Sequence, residues 1–161
     1  FMAVGPSELP ELVLAALGPK MLELAASETA GAHPYFVPPE HTHMAREVMG
    51  PEALLYPEQM VVLEDDPGAA RSIARQHMKT YAALPNYANN LMRLGYAAAD
   101  IESLTDNVVD AVVAWGSLDQ IRKRVNEHFD AGADHVCVQV LTEEPNQVPE
   151  GWRKMAPALI G

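Results

Sequence analysis

The chain has 161 residues, of which 48% are hydrophobic and 20% are charged. This is enough for one globular domain with a sizeable core, and it excludes a disordered chain. The net charge of −11 argues against binding to nucleic acid or to an anionic membrane surface, because both ligands need a basic protein surface. A single cysteine, Cys137, excludes an internal disulfide and favours a reducing compartment, the cytoplasm.

Four short apolar segments are predicted as buried strands, and each is followed by a helical pattern. These strands are Val13–Leu17, Ala32–Val37, Glu58–Glu64 and His135–Leu141. The predicted helices are Lys20–Glu28, His41–Met49, one from Pro67 to about Leu84, Asn86–Leu94, Asp106–Trp115, one that begins after Ser117, and Trp152–Leu159. Strands that alternate with helices in this way predict a parallel α/β sheet with extra helices after the third strand.

Local signals mark several helix ends. Gly31 is predicted to stop the first helix, since glycine commonly follows a helix C-terminus. Asp66 is predicted as an N-cap, and Ser117 with Gln120 fits a capping box. The stretch 97–103 is predicted as a linker.

The joint between the first strand and the first helix predicts an anion site. Gly18 lets a ligand approach the backbone, and Pro19 presets helical geometry at a position whose N–H has no helical partner. The N–H groups of Lys20 and Met21 are then free, and the helix dipole favours an anion such as phosphate. An ordinary strand-to-helix turn remains the alternative.

A metal site is not predicted. His41 and His43 do not share a helix face, although His43 and Glu47 do, and two ligands are too few. A solvated start of the second helix explains these side chains better. Cys137 and His77 are predicted as packed core residues rather than as reactive groups.

Three segments together resemble a known family. Residues 13–36 (VLAALGPKMLELAASETAGAHPYF), residues 65–71 (DDPGAAR) and residues 115–141 (WGSLDQIRKRVNEHFDAGADHVCVQVL) resemble the luciferase-like oxidoreductases, most of all the actinobacterial branch that uses the deazaflavin coenzyme F420. Members of that family are (β/α)8 TIM barrels. The resemblance implies that residues 1–161 form a single domain, the C-terminal half of such a barrel, with about four strand-helix units. The length agrees, because a whole barrel takes about 250 residues.

The resemblance implies a role for the first strand-helix joint. In the deazaflavin enzymes the corresponding loop holds the coenzyme phosphate through backbone amides. The residues carried over are Leu17, Gly18, Lys20 and Met21. Leu17 departs from the family pattern, since some relatives have a second glycine there.

The second strand is followed by a candidate pocket. His33, Pro34 and Tyr35 are expected near the mouth of the barrel, where they would line the deazaflavin or substrate pocket. A strand that pairs its polar groups locally is an equal alternative.

The resemblance implies an enzyme that moves a hydride between coenzyme F420 and a small organic substrate. No catalytic residue is assigned, because the family's proton-handling residues lie mostly in the first half of the barrel. An FMN-dependent monooxygenase is the alternative among enzymes, since the same loop can hold the FMN phosphate. A non-catalytic half barrel that binds cofactor or a partner is the other alternative.

A half barrel also predicts association. Its two sheet edges, Val13–Leu17 and His135–Leu141, would be unpaired, and unpaired edges attract other strands. We therefore expect a homodimer or a pairing with a separate N-terminal half barrel.

Overall fold

The computed structural model describes residues 10–160 and has alternating strands and helices. The strands are β1 (Val13–Leu14), β2 (Gly31–Ala32), β3 (Leu54–Leu55), β4 (Glu58–Val62), β5 (Val113–Trp115) and β6 (Cys137–Val140). The helices are α1 (Pro19–Glu28), α2 (Pro39–Met49), α3 (Pro67–Ala82), α4 (Pro85–Arg93), α5 (Ala98–Ser103), α6 (Asp106–Val112), α7 (Leu118–Asp130) and α8 (Val148–Ile160), with a short 3-10 helix at Pro145–Gln147.

All the strand pairs that join these elements are parallel, as predicted. β1, β2 and β3 form one sheet in that order, and β4 lies between β5 and β6 in a second sheet. β3 and β4 are two parts of one bent strand that is interrupted at Pro57. The bent strand stays beside the chain that follows β2, because the Glu58 N–H donates to the Pro34 carbonyl over 2.9 Å.

The predicted strand Val13–Leu17 is shortened to Val13–Leu14, and the predicted strand Ala32–Val37 shares only Ala32 with β2. The His33 N–H still donates to the Leu14 carbonyl over 2.8 Å, but Pro34 has no N–H with which to continue the ladder. The predicted strands Glu58–Glu64 and His135–Leu141 are likewise trimmed, to Glu58–Val62 and Cys137–Val140.

Two helix predictions are wrong. The stretch 97–103 is not a linker, since most of it forms the short helix α5. The predicted helix Asp106–Trp115 ends at Val112, and its last three residues form β5 because they pair with β4 at Met60–Val62. Long-range strand pairing overrides the local pattern here.

Gly31 has a different role from the predicted helix stop. α1 ends at Glu28 with Thr29 as its C-cap, and Gly31 lies in β2. A methyl group on Gly31 would lie only 1.9 Å from the Leu54 carbonyl oxygen, so glycine is required there by close strand packing. The Asp66 cap and the Ser117–Gln120 capping box are confirmed.

Helices cover both faces of the β4–β6 region. On one face, Val61 packs with Ile121 of α7 and Met155 of α8. On the other face, Met60 and Val62 pack with residues of α3, α4 and α6. The second face is the one that a barrel would turn inward, because α1, α2, α7 and α8 follow one another along the first face. Within residues 10–160, no helix has both the length and the apolar character that crossing a bilayer requires.

Candidate functional site

The loop from Leu17 to Met21 lies at the carboxyl end of β1, where parallel α/β folds place their ligands. Gly18 is the N-cap of α1 and Pro19 is its first residue. The Met21 N–H was predicted to be free, but it donates to the Gly18 carbonyl over 3.0 Å. Among residues 10–160, the N–H groups of Gly18 and Lys20 have no hydrogen-bond partner. The loop therefore offers two free backbone donors.

Nothing in the fold itself demands glycine at position 18. Its backbone angles, φ −84° and ψ 156°, suit any residue. A methyl group there would meet only the Arg93 Nη2 atom, at 3.9 Å, which is ordinary van der Waals distance. The space beside Gly18 is open, which is the condition for close approach of a ligand.

His41 hydrogen-bonds the loop at Leu17. The prediction that it belongs to a solvated helix start is wrong. Its side chain is fully buried, and its Nε2–H donates to the Leu17 carbonyl over 2.9 Å. A trans peptide is planar, with its C=O and N–H on opposite sides. The hydrogen bond therefore turns the Gly18 N–H away from His41, toward the open side of the loop.

The imidazole of His41 is neutral at physiological pH. Its pKa is lowered to about 4, chiefly by burial and to a smaller extent by the charge of Arg93, against the opposing hydrogen bond to Leu17. Its Nδ1 atom is buried and has no partner among residues 10–160. His43 is exposed and forms a 3.5 Å pair with Glu47 on the same helix, so the three side chains of the rejected metal site do not converge.

The structure ties the backbone of His33 and Pro34 into the strands. His33 Nδ1 also hydrogen-bonds the Tyr56 carbonyl, and the Pro34 carbonyl accepts from Glu58. Tyr35 differs, because its hydroxyl donates to Gln139 Oε1 over 2.9 Å and lies 3.3 Å from His77 Nε2. Tyr35 is therefore the member of the predicted pocket that reaches other polar side chains.

Glu58 is a buried carboxyl group that was not predicted from the sequence. Its side chain lies on the inward face of β4 and the residue is only 5% exposed. Oε2 accepts a long hydrogen bond of 3.5 Å from the Phe36 N–H, and Oε1 has no partner among the described residues. Burial raises the pKa of Glu58 to about 8, so the group is mostly protonated at pH 7. The sequence did contain a signal for this buried acid, since Glu58 lies within a predicted apolar strand.

An aromatic cluster lies beside this carboxyl group, whose Oε2 accepts from the Phe36 N–H. Phe36, Tyr35, Tyr81 and Tyr87 pack with ring centroids 5.0 to 6.0 Å apart. Phe36 adopts a left-handed conformation, φ 61°, which is uncommon for a bulky residue and is held here by the surrounding packing. The cluster belongs to the main hydrophobic core, in which Phe36 is fully buried and the three tyrosines are partly buried.

A cleft of about 410 Å³ opens between the carboxyl ends of β4 and β6 and the first turns of α8. Its lining includes Val62, Leu141 and Thr142, together with Glu64 and Glu143. A neighbouring cleft of about 300 Å³ shares part of this wall and reaches His77 and Gln139. The Tyr35 hydroxyl thus connects the aromatic cluster with the wall of the second cleft.

A family model described as luciferase-like monooxygenase matches residues 2–135. No curated protein matches the chain as a relative.

Solved structures resemble the chain over about half of their own length. An F420-dependent secondary alcohol dehydrogenase in complex with an F420-acetone adduct is 13% identical, with TM-score 0.69, and the match covers 96% of this chain and 50% of that one. The coenzyme F420-dependent tetrahydromethanopterin reductase from Methanopyrus kandleri is 16% identical, with TM-score 0.62, over 81% and 44%. EDTA monooxygenase from Chelativorans sp. BNC1 is 13% identical, with TM-score 0.60, over 98% and 46%.

At these identities the likeness shows the fold. The neighbours are (β/α)8 barrels, and this chain spans about half of each. The predicted half barrel is therefore confirmed.

Proposed function

Because this chain belongs to the luciferase-like monooxygenase family, we propose that it is the C-terminal portion of an oxidoreductase that uses coenzyme F420. The complete enzyme transfers a hydride between the deazaflavin ring and a small organic substrate. The cofactor supplies the hydride chemistry, and the protein supplies binding and orientation. The chain functions in the cytoplasm, in keeping with its single cysteine.

The observation that carries the proposal is the loop at the carboxyl end of β1. Its free Gly18 and Lys20 N–H groups and the open space at Gly18 suit a phosphate oxygen. Coenzyme F420 carries such a phosphate, and two of the structural neighbours are F420-dependent by their descriptions. Leu17 and Met21 flank these donors and complete the loop, with the Leu17 carbonyl bound by His41 and the Met21 N–H bound to the Gly18 carbonyl.

We propose that the residues after β2 line the cofactor or substrate pocket. Tyr35, with Gln139 and His77, presents polar atoms beside the clefts at the strand ends. His33 and Pro34 keep this segment against the bent strand. We assign these three residues, His33, Pro34 and Tyr35, to the cofactor or substrate pocket, and we assign no catalytic residue to this chain.

An FMN-dependent monooxygenase is the second candidate. It is supported by the description of the matching family and by the likeness to EDTA monooxygenase. The loop serves either cofactor, since both carry a phosphate. A half barrel that binds cofactor or a partner without turnover is the third candidate.

We also propose that this half barrel binds a partner chain. Large apolar side chains are exposed at both ends of the arc of strands and helices: Leu12, Val13, Met21 and Leu24 at one end, Trp152 and Ile160 at the other. In a full barrel these ends pack against further strand-helix units. The chain therefore pairs with a second copy or with an N-terminal half barrel.

Titration of the purified protein, with any partner chain that it carries, tests the cofactor assignment. Quenching of cofactor fluorescence gives the dissociation constants of F420 and FMN under the same conditions. We expect F420 to bind more tightly. Tighter binding of FMN would favour the monooxygenase, and binding of neither would contradict both enzyme assignments.

A further inference from the structure

A guanidinium group lies beside the open side of the loop. Arg93, the last residue of α4, places Nη2 only 3.9 Å from the position of a methyl group on Gly18. Gly18 and Arg93 are far apart in sequence, and α4 belongs to the helices inserted after β4. The insertion therefore brings a cation to the end of β1.

Arg93 is held in this position by a buried partner. Its Nη1 donates to Asn90 Oδ1 over 2.9 Å. Asn90 is 1% exposed, and its Nδ2, on the same amide, is buried with no partner among the described residues. An asparagine buried this deeply with half of its hydrogen bonds unmade is costly to the fold. The hydrogen bond from Arg93 to Asn90 keeps the guanidinium group beside the loop.

Three donors at this end of β1 have no acceptor among the described residues. They are the N–H groups of Gly18 and Lys20 and the Nη2 of Arg93. The first turn of α1 carries no acidic residue, so its positive end is not neutralised within the helix. A cluster of unpaired donors is complementary to a ligand that is rich in acceptor oxygens and negatively charged.

We infer that Arg93, positioned by Asn90, is the charge-bearing arm of the phosphate site at Leu17–Met21 and makes that site selective for the phosphorylated form of its cofactor. The inference rests on the proposed function of the loop. It shifts the cationic contact away from Lys20, whose backbone N–H rather than its ammonium group faces the ligand. A guanidinium also suits phosphate better than an ammonium does, since its paired N–H groups match two phosphate oxygens.

The test compares cofactors that carry the phosphate with forms that lack it. Dissociation constants for FMN and riboflavin, and for F420 and its phosphate-free deazaflavin precursor, are measured with the wild-type protein and with Arg93→Gln. We expect Arg93→Gln to weaken the phosphorylated forms roughly 10- to 100-fold, as for a charge-assisted contact, and to leave the phosphate-free forms unchanged. Arg93→Lys should recover part of the loss.

A matched control removes a charge elsewhere. Arg122 is exposed and pairs with Asp119 on the same helix, so Arg122→Gln should leave all four constants unchanged. Equal losses for phosphorylated and phosphate-free forms with Arg93→Gln would show a merely structural role, and no loss would place Arg93 outside the site. Both results overturn the inference. If the wild-type protein itself does not distinguish the phosphorylated forms, the proposed function of the loop fails, whatever the variants do.

Discussion

Replacement of the buried Glu58 by glutamine should make the protein more stable at alkaline pH. The carboxyl group lies beside the aromatic cluster, and one of its oxygens has no partner among the described residues. Burial raises its pKa from the ordinary value of 4.5 to about 8. The folded protein thus holds a proton that the unfolded chain releases above pH 4.5. Stability from this group is complete below pH 4.5, and it is lost as the pH rises toward 8.

The size of the effect follows from the two pKa values. Each pKa unit corresponds to about 1.4 kcal/mol, so the free energy of unfolding should fall by about 4 kcal/mol between pH 4.5 and pH 8 on account of Glu58 alone. Glutamine has nearly the same shape as the protonated acid and likewise carries one carbonyl acceptor beside a donor group, but it cannot ionise. The advantage of Glu58→Gln over wild type should therefore grow steadily across this interval.

Urea denaturation at half-unit pH steps from 4.5 to 8.5 measures the difference between the two proteins. Comparing them cancels the titration of every other group. Glu143→Gln serves as the control, because Glu143 is an exposed carboxylate at the rim of the cleft and its replacement should change stability little. A difference between Glu58→Gln and wild type that stays flat with pH would refute the account of this buried acid.

Three further outcomes are expected. Gly18→Val should weaken binding of inorganic phosphate or of a phosphorylated cofactor more than Lys20→Ala does, because the backbone makes the contact. The same fluorescence titration measures both variants. A larger loss with Lys20→Ala would show that the Lys20 side chain binds the phosphate instead. Arg46 donates to the carbonyls of Gly132, Gly50 and Ala53 and to Asp134, so Arg46→Ala should lower the free energy of unfolding by about 3 kcal/mol; a loss below 0.5 kcal/mol, about that of a surface substitution, would contradict this. The purified 161-residue chain, free of other chains, should show no F420-dependent hydride transfer by absorbance, and measurable turnover would place the catalytic residues within it.

Association of the chain is expected from its exposed apolar ends, and sedimentation at low micromolar concentration tests it. A dimer or a larger assembly should sediment in place of the monomer, because Leu12, Met21 and Trp152 are exposed at those ends. The inserted helices α3 to α6 already cover the inward face of β4, so the edges and not that face should form the joint. A stable monomer would show that the chain needs no partner.

Features with local causes could be predicted from the sequence. The Asp66 cap and the Ser117–Gln120 capping box depend on residues three apart, and both are present in the structure. The parallel α/β order follows from the alternation of patterns, which is also a near-neighbour property. The pattern of elements predicted only a parallel α/β sheet, and the prediction of a half barrel came from the family resemblance.

Features with distant causes could not be predicted in this way. Val113–Trp115 fits a helix or a strand equally, and its pairing with Met60–Val62 decides for the strand. His41 has the sequence context of an exposed helix start, and only the Leu17 carbonyl makes it a buried donor. Arg93 and Gly18 meet through the packing of α4, which no spacing in the sequence encodes.

The claim that the loop at Leu17–Met21 holds the cofactor phosphate is tested most directly by amide resonances. A ¹⁵N-labelled sample of the protein is titrated with F420 and, separately, with its phosphate-free precursor, and the Gly18 and Lys20 N–H signals are followed. Neither amide has a hydrogen-bond partner within residues 10–160, so F420 should shift both signals strongly and the precursor should not. If both signals stay in place while F420 binds, or if they respond equally to the precursor, the loop is not the phosphate site.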